Sequence, residues 1–134
     1  MRACCAVLGV HVAYMAAFCA FAVDGLYVAL IAQQGNGMGG RVAFVAGSLA
    51  SAGLAIAVAQ DAGRLADGVA AGWAVATLFI WMILGAASIG ILVAPAAIFA
   101  MIALSRLRAP SFAVAAGAAL ALLTAAAGLV WTAA

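Results

Sequence analysis

Few residues of this chain could do chemistry. Asp24 is the foremost: it is a carboxylate inside a long apolar run, and an ionisable group held in hydrocarbon is costly enough to suggest proton or cation handling by default. Two plainer roles compete with that one. Asp24 lies towards the end of its run and is followed by Gly25, which suits an interfacial position, and it could pair with an arginine or with a partner chain. His11 shares a helix face with Tyr14, Phe18 and Gly25. An imidazole there could ligate a haem or bind a quinone, but bis-histidine ligation needs a second histidine and this chain has none beyond His11, so a partner or a second copy would have to supply it. An interhelical hydrogen bond is the simpler role.

Cys4 and Cys5 are adjacent at the mouth of the first run, with Cys19 deeper in it. A vicinal pair in a first membrane helix resembles the small mercuric-ion transporters, which pass soft metals between thiolates. The resemblance covers that pair alone, and no second cysteine pair accompanies it, so small apolar packing is the competing role. Other chemistry is excluded by missing residues. The chain has no glutamate for a small multidrug exporter, and it lacks the two cysteine pairs of a quinone-linked disulfide oxidase. A rotary-ATPase proteolipid needs a mid-helix carboxylate, whereas Asp61 and Asp67 fall in a turn with Arg64, at spacings that allow local pairing. The glycine-rich segment 35–40 has no Walker Lys-Ser/Thr and reads as a loop. No enzymatic activity, cofactor or metal is expected.

The elements that would position these residues are membrane helices. Of 134 residues 72 % are hydrophobic and mean hydropathy is +1.38, beyond what a water-soluble domain carries. In lipid every backbone polar group must be satisfied internally, so the choice lies between helices and a closed barrel. Continuous apolar stretches such as 69–104 lack the alternation of barrel strands. The expected fold is an all-α integral membrane domain over 1–134, with four spans at about 3–32, 41–60, 69–105 and 111–132 in an antiparallel bundle.

The first and third spans are overlong, roughly 45 and 55 Å at helical rise. The third is expected to kink near Pro95, which removes an intrahelical hydrogen bond. Trp73 and Trp81 are rival markers of where it enters the membrane. Arg2, the apolar stretch after it and the triplet Ala20, Phe21, Ala22 resemble a secretory signal, yet the segment is expected to be retained as the first helix. Small residues recur every four positions in the second span, through Gly47, Ser51 and Ala55, and in the fourth, through Gly117 and Ala121 with Gly128 on a neighbouring stripe. Such stripes let backbones approach closely, so these two spans are expected to pack together, with Gly47 at the contact.

Five arginines are too few and too scattered for a nucleic-acid surface. Arginine in place of lysine, with abundant Ala, Gly and Val, suggests a bacterial inner-membrane protein. With four crossings, Arg41, Arg106 and Arg108 outnumber Arg2 and Arg64, which favours both termini outside. The functional expectation is a non-catalytic accessory subunit bracing a larger respiratory, photosynthetic or transport complex. The alternative is a homo-oligomeric channel or proton-coupled transporter with Asp24 and His11 in its pathway.

Overall fold

The computed structural model describes residues 2–35, 39–59, 65–85, 90–107 and 109–133; the side chains of 2–10 and 132–133, Cys4 and Cys5 among them, lie outside that description. Five helices form: α1 (Arg2–Gln33), α2 (Gly40–Val58), α3 (Leu65–Leu84), α4 (Gly90–Arg106) and α5 (Ser111–Ala133). Among the described residues there is no strand. Four of the helices contain stretches long and apolar enough to cross a membrane: His11–Gln33, Gly40–Val58, Leu65–Leu84 and Ser111–Trp131. The chain is an integral membrane protein. α4 is apolar but shorter, with 17 residues.

The third apolar run, expected as one overlong helix, is two. α3 closes where Gly85 N–H donates to the Trp81 carbonyl, and α4 opens at Gly90, whose N–H donates to the Gly85 carbonyl. Glycine is needed at position 90, because a Cβ there would meet the Met82 carbonyl and stand 2.7 Å from the Gly85 carbonyl carbon. α3 ends at Leu84 and α4 begins at Gly90, whereas Pro95 lies inside the helical span of α4.

α1, α2, α3 and α4 form a ring of contacts, α1 on α2 and α4, and α3 on α2 and α4. Its centre is built from alanines, with Leu49, Leu78 and Val93 as the largest fully buried side chains. α5 stands outside this ring. It packs extensively on α3 and only grazes α2, and its buried Ala113 and Ala121 are separate from the central cluster.

Small residues decide these contacts, but their pairing differs from the expected one. On α3, Gly68 and Gly72 form a small-xxx-small pair; a Cβ on Gly68 would lie 2.9 Å from the Ala113 Cβ, and one on Gly72 would collide with the Val114 carbonyl. On α5, a Cβ on Gly117 would strike the Val69 carbonyl. These contacts rise together along both chains, so α3 and α5 run parallel. Gly53 of α2 receives Phe21 and Ala20 of α1 at 3.2 and 3.4 Å from its Cβ position. Gly47, expected at a contact between the second and fourth spans, is exposed and has open space where a Cβ would stand; Ser51 and Ala55 are half-buried. α2 touches α5 through aromatic rings, with Phe44 seated on Gly128 and Trp131 on Gly40.

Close backbone approach replaces the hydrophobic driving force that lipid does not supply. Gly117→Leu should therefore lower the unfolding temperature in detergent and separate α5 from α3, with a cost of about 1–3 kcal/mol or more from overpacking. Gly47→Leu should be tolerated; a large loss of stability in Gly47→Leu with none in Gly117→Leu would reverse the assignment.

Candidate functional site

α2 and α5 meet at Phe44–Gly128 and Gly40–Trp131 and diverge beyond these contacts, leaving a lateral cavity of about 350 Å³ with α3 as its floor. Its walls are small residues: Ala43, Gly47 and Ser51 from α2, and Ala121 and Ala125 from α5. Trp73, Thr77, Ile80 and Trp81 come from α3, Phe44 and Ser48 from α2, and Thr124 from α5. Among the described residues no charged side chain lines it.

Its polar groups are mostly engaged. Trp81 is only 8 % exposed, and its indole Nε1–H donates to Ser48 Oγ at 2.6 Å. Ser48 in turn donates to the Val45 carbonyl at 2.8 Å, and Ser51 donates to the Ser48 carbonyl at 2.8 Å. Thr124 Oγ1 reaches the Ala121 and Leu120 carbonyls at 3.0 and 3.1 Å. The Trp81 ring also meets Phe44 edge-on, with centroids 6.0 Å apart and planes at 69°. Thr77 stands apart from this network. It is 5 % exposed, faces the cavity, and its hydroxyl takes part in none of the hydrogen bonds formed among the described residues.

No known protein family, characterised protein or solved structure matches the chain. The chemistry available is therefore that of the side chains in place.

The residues singled out from the sequence do not converge. Asp24 is partly buried in α1, and its Oδ1 is enclosed without a hydrogen-bond partner; Asp67 Oδ2, at the start of α3, is in the same condition. His11 is exposed on α1. Helical geometry sets His11 and Asp24 about 20 Å apart along the axis and roughly 140° apart around it, so one copy of the chain does not join them in a pathway. Cys19 is half-buried and carries a free thiol. Among the described residues no group of three His, Cys, Asp or Glu side chains is close enough to hold a metal ion.

Sequence reasoning passed over the convergence of Trp81, Ser48 and Thr77. Trp81 read as a membrane-interface marker, yet it is buried and bonded across to α2. The available signal was the Gly68 and Gly72 pair, which marks α3 as the helix that receives another backbone.

Ser48→Ala leaves the Trp81 indole without its acceptor. Stability should fall by about 1 kcal/mol, accompanied by a change in the tryptophan emission maximum. An unchanged melting curve and spectrum would remove this hydrogen bond from the structure's supports.

Proposed function

We propose that the chain is a non-catalytic structural subunit that braces a larger membrane complex, most simply one of a bacterial inner membrane. The observation that carries this reading is Asp24, which lies in the crossing stretch His11–Gln33 with one carboxylate oxygen buried and unpartnered. A carboxylate in a membrane segment is stable when it pairs with another polar or charged group. Asp24 as a whole is only half-buried, and a neighbouring subunit would supply that group to its other, accessible oxygen. The ring of α1 to α4 supports the same role, since its centre is packed with alanine, leucine and valine and Thr77 is its sole buried polar residue among those described.

The proposed membrane arrangement follows from the split of the third run. α4 begins beside Met82 and Gly85 of α3 and ends where Ala103 and Leu104 meet Ala71 of α3 and Ala59 of α2, so it runs opposite to α3 through the same slab. Its 17 residues give roughly 25 Å, the lower limit for a crossing. With α4 as a fifth crossing the termini fall on opposite sides, in place of the shared side that four crossings imply. Arg2, Arg64, Arg106 and Arg108 then share one face, and Arg41 alone occupies the other. Four against one favours a cytoplasmic N-terminus and an extracytoplasmic C-terminus. α1 to α4 form an antiparallel bundle in this arrangement, α5 lies parallel to α3, and Pro95 supplies a local bend in α4.

The second reading is a homo-oligomeric channel or transporter in which Asp24 of neighbouring copies lines the pathway, with His11 supplied by a different copy. The same unpartnered carboxylate favours it. Native mass spectrometry of the gently extracted protein separates the two. The structural reading expects a fixed ratio to larger subunits, weakened by Asp24→Ala. A homo-oligomer alone, with liposome flux abolished by Asp24→Asn and the oligomer intact, would replace it with the channel reading.

Fusions made after Ala134 and tested in a bacterial host check the topology. Alkaline phosphatase placed there should be active and green fluorescent protein dark; the opposite pair of results would place the C-terminus in the cytoplasm and overturn the proposed orientation.

A further inference from the structure

We infer that the cavity between α2, α3 and α5 is a binding site for a neutral, membrane-dissolved ring compound bearing a carbonyl oxygen, the chemistry of a quinone, with Thr77 donating its hydroxyl proton to that carbonyl. Four features of the site lead to this ligand class.

The first is size. A cavity of about 350 Å³ falls within the range of small-molecule sites. It is too small for a docked helix, which at a diameter of about 10 Å fills roughly 800 Å³ in each 10 Å of its length.

Charge is the second. Among the described residues no charged side chain lines the site, so an ionic headgroup would enter without a partner from them. Phe44 on Gly128 and Trp131 on Gly40 join α2 and α5 at one end, which leaves the lateral gap between these helices as the way in. A ligand arriving through that gap comes from the hydrocarbon and must be neutral.

The third is hydrogen bonding. Ser48, Ser51 and Thr124 already donate to backbone carbonyls, and the Ser48 oxygen also accepts from Trp81. Thr77 is more than nine-tenths buried, faces the cavity and is engaged by no hydrogen bond among the described residues. A hydroxyl that lines the cavity without a protein partner is free to bond a ligand acceptor there, a contact worth about 1 kcal/mol. The uncommitted donor selects a ligand with an acceptor, and a ring carbonyl supplies one without carrying a charge.

Shape is the fourth. Trp73, Trp81 and Phe44 supply aromatic surface, while Ala43, Gly47 and Ala121 keep the facing walls shallow, so a flat ring is accommodated better than a branched body. This inference is independent of the structural-subunit reading, which rests on Asp24.

The test uses the full chain in phosphatidylcholine nanodiscs with Trp131→Phe, so that Trp73 and Trp81 are the fluorescent reporters. The probe is a decyl-substituted benzoquinone, an efficient tryptophan quencher. Saturable quenching is expected, with affinity reduced about 5- to 10-fold in Thr77→Val, the effect of one lost hydrogen bond. Gly47→Leu projects a side chain into the cavity from a position with open space, so it should abolish saturation while circular dichroism and the melting temperature stay unchanged. Quenching that rises linearly with quinone and is the same in all three proteins would show bilayer partitioning and overturn the site. Saturable binding displaced as readily by dodecanol as by unlabelled ring compounds, and unaffected by Thr77→Val, would make it an acyl-chain groove and overturn the ligand class.

Discussion

Helices dissolved in lipid gain little by hiding apolar surface from one another, because the tails they displace are as apolar as leucine. What remains is how near two backbones can come, and in this chain that distance is controlled at α3. Gly68 and Gly72 let α5 approach until carbonyls of each helix occupy the space a methyl group would need, while the other sides of α3 carry Ala74, Leu78 and Trp81 into the ring of α1 to α4. α3 is thus the helix that carries most of the contact between the ring and α5. A bulky residue at Gly72 would move α5, and with it the wall of the cavity that Ala121 and Ala125 provide.

The class of fold was legible from composition, because continuous apolar runs without alternation leave only helices in a bilayer. The extents of the second and fourth runs were legible too: glycine and proline punctuate them, and α2 and α5 follow those marks closely. The division of the third run was not. Soluble proteins mark a turn with polar residues, but the stretch from Gly85 to Gly90 is nearly as apolar as the helices beside it. Pro95 offered the louder signal, and it lies within α4. A proline costs a helix one N–H and some strain, whereas Gly90 starts α4 where a Cβ would stand within 3 Å of the Met82 and Gly85 carbonyls, which requires glycine.

Stripes of small residues posed a different problem. A period of four shows that a face can be approached, but it does not say by which helix. Gly47 and Gly117 look alike in sequence, yet Gly117 lies against the Val69 carbonyl and Gly47 opens on empty space. The difference arises from large residues, not small ones. Phe44 and Trp131 reach across from α2 and α5 and settle on glycines of the opposite helix, and Gly47 lies beyond that meeting point, on the cavity. Asp24 and His11 were visible as rare polar residues within an apolar helix, but rarity carries no information about proximity, and helical geometry separates them.

The same arrangement explains why the cavity carries the most chemistry in the molecule. Had α2 packed directly on α5, the Ser48, Ser51 and Thr124 hydroxyls would need no more than the carbonyls of their own helices, as they have now. Thr77 is the exception, because its hydroxyl faces the gap between the two helices. A void of this size beside lipid does not stay empty, since its lining would forgo dispersion contacts on one whole side. Lipid tails can restore those contacts, but they cannot accept a hydrogen bond. An occupant with a carbonyl oxygen does both, so the void and the unengaged hydroxyl select the same kind of molecule.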